Sequence, residues 1–132
     1  MNLFFEPDWT PVTFNEETKD IIKKHYYLDH VSFGHDVEIA YLMLEASEIL
    51  KRKDTEETLL KGKMMVDHAI ENGWDKAFGG FYDGGYYFGA DQSLTIVNSD
   101  KNWWSQAEGL NTLLIMQHHF PNDSHNYGVY FI

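Results

Sequence analysis

The stretch that decides the fold is residues 32–45, SFGHDVEIAYLMLE. One side of it carries apolar residues at helical spacing, namely Val37, Ala40, Tyr41 and Leu44. Further apolar residues cover much of the remaining circumference, and a helix that is apolar over most of its girth is buried on more than one side. The sequence therefore predicts an inner helix over residues 34–52, with Ser32 as its N-cap.

Two more helices are predicted on the C-terminal side of this stretch. Residues 54–71 have an amphipathic pattern typical of a surface helix, and Asn72-Gly73 ends it. Residues 102–118 are again apolar around most of the helix, which indicates a second inner helix capped by Ser99 or Asp100. Residues 124–132 either begin another helix or trail off.

Glycine and aromatic residues alternate between the second and third helices. Gly79-Gly80, Gly84-Gly85 and Gly89 interrupt short aromatic and β-branched runs, which predicts a β-hairpin within residues 73–98. Near the N-terminus we expect an extended segment at residues 3–14, a helical turn at 15–24 and a short strand at 26–28. The resulting order is inner helix, surface helix, hairpin, inner helix, in one mainly α-helical domain over residues 1–132.

The composition of the 132-residue chain excludes several classes of protein. The formal net charge is −11 and Arg52 is the one arginine, so the clustered basic residues that nucleic-acid binding needs are missing. There is no cysteine, which removes disulfides and cysteine-based zinc sites and fits a cytoplasmic protein. The chain shows no signal-peptide pattern and no apolar run of membrane-spanning length. We therefore expect a cytoplasmic domain that binds neither nucleic acid nor membrane.

His35 and Glu38 are the first candidate site residues. They are three apart at the start of the first inner helix and so share a face. A histidine beside a carboxylate in a partly buried site can act as a general base near neutral pH. The alternative is a histidine that only packs at a helix start, beside a solvated Glu38.

Trp103, Trp104 and Glu108 form the second candidate group. Trp104 and Glu108 are four apart on one face, and a flat ring beside a carboxylate suits a pyranose, which presents both CH surface and hydroxyls. The alternative is that both tryptophans belong to the core and Glu108 is solvated.

The remaining polar and aromatic clusters are weaker candidates. The aromatic segment 78–88 either lines a substrate site or packs its own rings, and Asp83 and Asp91 are possible hydroxyl ligands. His118, His119 and His125 are interpreted as a solvated helix end, not a metal site, because no carboxylate spacing supports them. His68 is interpreted as an ordinary surface residue. No phosphate-binding glycine loop is present.

Two segments together resemble the N-acylglucosamine 2-epimerase superfamily. Residues 32–38, SFGHDVE, resemble its S-x-G-H-D-x-E motif, and residues 101–108, KNWWSQAE, resemble its K-x-W-W-x-Q-A-E motif. The aspartate after the histidine and the Gln-Ala before the glutamate are closer to the cellobiose/mannobiose 2-epimerase branch. The likeness covers most of the chain to about residue 118.

This resemblance implies an (α/α)6 barrel that epimerises C2 of a reducing-end sugar such as mannobiose or cellobiose, without a metal or redox cofactor. It implies that His35 is one of two acid/base histidines, that Glu38 orients it or contacts the sugar, that Trp103 and Trp104 line the sugar site, and that Glu108 supports them or binds hydroxyls.

The chain also departs from the family pattern. The barrel has twelve helices, whereas three are predicted here, and the second catalytic histidine has no counterpart. We therefore expect a partial barrel that is weakly active or inactive alone and that forms homo-oligomers to cover the inner-helix faces over residues 34–52 and 102–118.

Three alternatives to this function stay open. The chain is a non-catalytic carbohydrate-binding remnant, a segment of an acylglucosamine 2-epimerase or monosaccharide isomerase, or a glycoside hydrolase. A hydrolase needs two carboxylates across the glycosidic bond, and the histidine beside Glu38 favours proton transfer instead.

Overall fold

The computed structural model describes residues 30–51, 53–87 and 93–131. The three N-terminal predictions, at residues 3–14, 15–24 and 26–28, lie outside the described residues, as do Gly89 and Asp91 in the predicted hairpin.

Three α-helices form most of the described structure. Helix α1 spans Phe33–Ile49, α2 spans Thr55–Gly73 and α3 spans Trp103–His119. Each predicted helix is confirmed, although α1 ends before residue 52. A 3-10 helix, Tyr127–Phe131, follows where the sequence left the ending open.

A small antiparallel sheet accompanies the helices. Strand β1 spans His30–Ser32, β2 spans Gly84–Tyr87 and β3 spans Leu94–Asn98, in the order β1-β2-β3. The predicted hairpin is the β2–β3 pair, in which Gly85 lies opposite Ile96. Strand β1 was not predicted, because three residues are too short to show an alternating pattern.

One core joins the three helices. Helix α1 packs against both α2 and α3, and the core is completed by Phe81 from a loop and Tyr127 from the 3-10 helix. The most buried apolar residues of the helices are Phe33, Val37, Ala40, Leu44, Val66, Ala69, Ile70, Leu113 and Met116.

The helix caps differ from the prediction. Ser32 stands at the N-cap of α1, but it pairs with Gly84 in the sheet and its side chain makes no capping hydrogen bond. The N-cap of α3 is Asn102 instead of Ser99 or Asp100. The chain first turns at Asn98, whose side-chain oxygen accepts a hydrogen bond from the Asp100 amide, so α3 begins later.

In the described residues, α1 and α3 are each packed on one side only and leave apolar surface open, as expected for inner helices of a partial barrel. Helix α1 exposes a stripe on which Ile39, Leu42 and Ile49 follow His35 at helical spacing. Helix α3 exposes a corresponding stripe of Trp103, Leu110 and Leu114. Each inner helix therefore has one packed side and one open apolar side.

Candidate functional site

The first turns of α1 and α3 meet at the candidate site. Gly34 packs against the Ser105 side chain, and a Cβ added to Gly34 would stand 2.7 Å from Cη2 of Trp104. Ser105 is fully buried at this contact. A glycine and a small serine thus allow the two helix starts to approach closely, which brings the two sequence motifs together in space.

His35, Glu38 and Trp104 are brought together there. The His35 and Trp104 rings lie 5.2 Å apart between centroids and are tilted by 42°. His35 Nε2 lies 3.9 Å from Glu38 Oε2, within ion-pair range but beyond a hydrogen bond. The side chains of His35 and Glu38 are 59% and 32% exposed, so the imidazole can be reached from solvent. These groups suit exchange of a proton with a ligand bound against the ring of Trp104.

Glu108 joins this group through Tyr41. The Glu108 carboxylate accepts a hydrogen bond from the Tyr41 hydroxyl, and this bond raises the pKa of Tyr41, with further contributions from burial and from the charges of Glu108, Glu38 and Glu45. Sequence analysis had placed Tyr41 only on an apolar side of α1. The available signal was its spacing, because Tyr41 is three residues beyond Glu38 on the same helix.

Trp103 stands apart from these contacts. It is 81% exposed, whereas Trp104 is partly buried against His35. The alternative interpretation of both tryptophans as core residues is therefore wrong for Trp103. An indole exposed at the start of α3 is available to a ligand or to a protein surface.

The second motif also contains residues with structural contacts. Lys101 Nζ donates to Asp75 Oδ2 at 2.7 Å, and this bond, together with those from the Ala77 and Phe78 amides and the charge of Lys101, lowers the pKa of the Asp75 carboxyl to about 2 against the opposing effect of burial. The Gln106 amide exchanges two hydrogen bonds with the Phe81 backbone, at 2.8 and 2.9 Å. These side chains hold the glycine-rich loop, where Gly80 has a φ of 86°, against α3.

Asp83, which the sequence offered as a possible hydroxyl ligand, has structural contacts. Its two carboxylate oxygens accept hydrogen bonds from the side-chain amides of Asn98 and Asn102. The carboxylate thereby connects the end of β3 to the N-cap of α3. Of the second motif, Trp103, Trp104 and Glu108 remain the candidates for ligand contact, because the Glu108 carboxylate bonds to Tyr41 at the site and not to the glycine-rich loop.

Sequence analysis missed the role of His68. Its Nδ1 lies 3.1 Å from Asp36 Oδ2, and its Nε2 makes a short hydrogen bond with the Tyr87 hydroxyl. The interpretation of His68 as an ordinary surface residue is wrong, because its partners come from α1 and β2. No local sequence pattern around His68 indicates that Asp36 and Tyr87 are its partners.

His125 is likewise not part of a solvated helix end. Its Nδ1 lies 3.0 Å from Asp123 Oδ1 and its Nε2 lies 3.1 Å from Glu71 Oε1. Asp67, Asp123 and His125 present possible ligand atoms within 4.8 Å of one another. However, Lys63 forms ion pairs with both Asp67 and Asp123, and Tyr127 donates to Asp67 at 2.6 Å. These partners already satisfy the carboxylates. We therefore interpret the cluster as an ion network that holds the C-terminal segment, residues 123–131, against α2.

His118 and His119 are exposed in the last turn of α3, as expected for a helix end. None of the helices in the described residues is both long enough and apolar enough to span a membrane.

The fold and the site together define a class of protein. Inner helices that pack side by side, with a histidine, a carboxylate and a tryptophan where two of them begin, are a segment of an α/α barrel. The chain belongs to the N-acylglucosamine 2-epimerase (GlcNAc 2-epimerase) family, whose sequence model matches residues 1–127.

A solved structure supports this assignment. The chain is similar to a crystal structure of D-mannose isomerase, with a TM-score of 0.58 and 29% sequence identity. The match covers 76% of this chain and 24% of that one, so the chain spans about a quarter of the length of that relative.

Proposed function

We propose that this chain carries part of the sugar site of an isomerase that moves a proton at C2 of a reducing-end sugar. The observation that carries the proposal is the placement of His35, which lies beside Glu38 and against the ring of Trp104 at the open end of two helices. A general base, a carboxylate and an aromatic platform are the groups such a reaction needs on one face of the sugar.

In this proposal the open-chain sugar lies with its CH surface against Trp104. The imidazole of His35 takes the C2 proton, the C2–H bond breaks, and the electron pair moves toward the C1 carbonyl to give an enediolate. Glu38 holds the resulting imidazolium through its negative charge, and Glu108 and Tyr41 offer hydrogen bonds to hydroxyl groups. The proton then returns to C2.

Inversion at C2 requires that the proton return on the opposite face. We propose that the second acid has no counterpart in this chain, as the family resemblance implies. The chain by itself is then half of a catalytic site, with weak activity or none. Return of the proton to C1 instead of C2 would convert an aldose into a ketose with the same first base.

The sugar that we favour has a mannose or glucose unit at its reducing end. The motifs resemble those of cellobiose/mannobiose 2-epimerases, and the solved relative is named a D-mannose isomerase. Mannobiose, cellobiose and free mannose are therefore the first ligands to test, with N-acylglucosamine as the family alternative. A cytoplasmic location and the absence of a cofactor remain predictions from the sequence and the resemblance.

A second candidate function is non-catalytic sugar binding. The exposure of His35 and Trp103 favours it. Proton transfer from carbon benefits from a site that excludes water, whereas sugar binding does not require such exclusion. Both candidates place the sugar at Trp104, and they differ in whether the C2 proton exchanges.

We also propose that the chain forms homo-oligomers. The exposed stripes of α1 and α3 begin at His35 and Trp103, so a second copy that covers them would also enclose the candidate site. Such closure would remove apolar surface from water and partly desolvate the imidazole.

The test combines calorimetric binding with NMR of the C2 proton in deuterated water, for mannose, mannobiose, cellobiose and N-acetylglucosamine. We expect saturable binding of at least one sugar. The C2 proton should exchange with deuterium at a rate close to that in buffer without protein. Trp104→Ala should weaken binding about 2- to 10-fold, the range expected for loss of one ring contact. Met64→Ala, an exposed change on α2 outside both stripes, is the matched control and should leave binding unchanged.

The outcomes separate the candidates. Exchange of the C2 proton that exceeds background and disappears in His35→Ala would support the isomerase function, and conversion of the sugar to its C2 epimer would contradict the incompleteness of the site. Sugar binding without exchange of the C2 proton, both in this chain and in a longer protein that contains the whole barrel, would favour non-catalytic sugar binding. Release of glucose from cellobiose, or no binding of any of these sugars, would overturn the proposal.

A further inference from the structure

Three side chains joined by hydrogen bonds, those of Asp36, His68 and Tyr87, lie directly beside the candidate site. Asp36 follows His35 in the first turn of α1, but its carboxylate faces α2, where Oδ2 lies 3.1 Å from Nδ1 of His68. The other ring nitrogen of His68 bonds to the hydroxyl of Tyr87 at the end of β2. The side chains of Asp36 and His68 are each 25% exposed and Tyr87 is buried, so this hydrogen-bonded series runs from the partly open surface into the interior.

For a neutral imidazole between an ionised carboxylate and a phenol, the chemistry of the three groups sets the direction of each hydrogen bond. An ionised carboxylate only accepts, so Nδ1 of His68 carries the proton and donates it to Asp36. In the neutral imidazole Nε2 then accepts, and the Tyr87 hydroxyl donates to it. Burial, together with the negative charge of Asp36, raises the pKa of Tyr87, so this hydroxyl keeps its proton.

The first turn of α1 has particular need of such a contact. Ser32 makes no capping hydrogen bond, so the usual side-chain anchor at a helix start is missing. Gly34 has no side chain, and its close contact with Ser105 leaves little space for adjustment on the α3 side. Asp36 supplies a directional polar contact on the α2 side of the same turn.

We propose that Asp36, His68 and Tyr87 are positioning residues that set the rotation of the first turn of α1 and thereby hold His35 against Trp104. Adjacent helix residues are related by a fixed rotation of about 100°, so any rotation that moves Asp36 also moves His35. The inference rests on the proposed function for the chemical role of His35, but its test needs neither sugar nor turnover.

The test reads the placement of His35 by NMR of its ring protons. A ring 5.2 Å from an indole experiences its ring current, so these protons should be displaced in the unmodified chain and should return toward ordinary values in Trp104→Leu. Two substitutions of His68 separate its two bonds. Asn places an amide near Nδ1 and can keep the bond to Asp36, whereas Gln places an amide near Nε2 and can keep only the bond to Tyr87.

We expect His68→Asn to retain the displacement of the His35 protons and His68→Gln to lose most of it. Tyr87→Phe should leave the proton on Nδ1, which still donates to Asp36, and should shift the 15N resonance of Nε2, because that nitrogen loses its hydrogen-bond donor. His125→Gln, which removes another partly buried and hydrogen-bonded histidine, is the matched control and should leave His35 unchanged.

The inference is overturned if folded His68→Gln keeps the His35 displacement, or if the Asn and Gln variants lose it equally. A dispersed amide spectrum shows that each variant is folded. If His68→Gln does not fold, Asp36→Ala gives the same readout, since it removes the acceptor from a partly exposed position, and an unchanged His35 there overturns the inference. Absence of sugar binding in the unmodified chain, with the His35 displacement changing among the variants as expected, would count against the proposed function alone.

Discussion

Gly34 is the residue on which the meeting of the two motifs depends. A methyl group at this position would overlap the Ser105 side chain and stand 2.7 Å from Trp104. We expect Gly34→Ala to destabilise the chain by about 1–3 kcal/mol, the usual cost of adding a methyl group to a close-packed contact. Urea denaturation followed by far-UV circular dichroism measures this change.

Gly62 provides the matched control for that substitution. It is also a buried helical glycine, but a Cβ there would meet its nearest atom, the carbonyl oxygen of Ala40, at 3.4 Å, an ordinary contact. Gly62→Ala should therefore be neutral or stabilise by up to about 1 kcal/mol through helix propensity. Equal effects of the two substitutions would show that α1 and α3 do not approach as closely as described.

At the scale of elements, the C-terminal segment depends on the charge of His125. Burial lowers the pKa of His125, but hydrogen bonds with Asp123 and Glu71 and the charge of Asp67 outweigh this, so the pKa is raised overall, against the opposing charge of Lys63. The protonated form is therefore favoured in the folded chain. The stability it contributes is fully present below the unfolded pKa of about 6.5 and is lost as the pH rises through the raised folded value.

We expect thermal stability to fall as the pH rises from about 6 to above the folded pKa of His125, with the 3-10 helix Tyr127–Phe131 loosening first. Hydrogen exchange of the Val129 amide, which donates to Asn126, follows that loosening directly. His125→Gln should flatten the pH dependence in this window. If His125→Gln keeps the full pH dependence of thermal stability, another titratable group causes that dependence.

At the scale of the whole molecule, the open stripes of α1 and α3 are the main feature. Leu42, Ile49, Leu110 and Leu114 are all exposed, and large exposed apolar patches drive association. We expect the chain to be a dimer or higher oligomer at micromolar concentration, measured by multi-angle light scattering. Leu114→Glu should shift it toward monomer.

Met64→Glu is the control for that experiment, because Met64 is equally apolar and exposed but lies on α2, outside both stripes. If both substitutions produce monomers, added negative charge and not the stripe explains the change. A monomeric unmodified chain would contradict the homo-oligomer proposal.

Local patterns in the sequence were sufficient for the helices and for the nearest contacts of the site. Helical spacing placed His35 beside Glu38, because residues three apart on a helix are neighbours whatever the rest of the chain does. The same periodicity located α1, α2 and α3, and glycine punctuation located the β2–β3 hairpin.

Contacts between residues distant in sequence were decided by the tertiary structure. The packing of Gly34 on Ser105 joined the two motifs, and the bonds of His68 to Asp36 and Tyr87 connected three elements that no local pattern relates. The sequence by itself determined which helices form and that the inner two carry apolar residues around most of their girth. Only the tertiary structure decided which apolar side is buried and which partners the histidines take, because both depend on the helices that pack nearby and not on residue spacing.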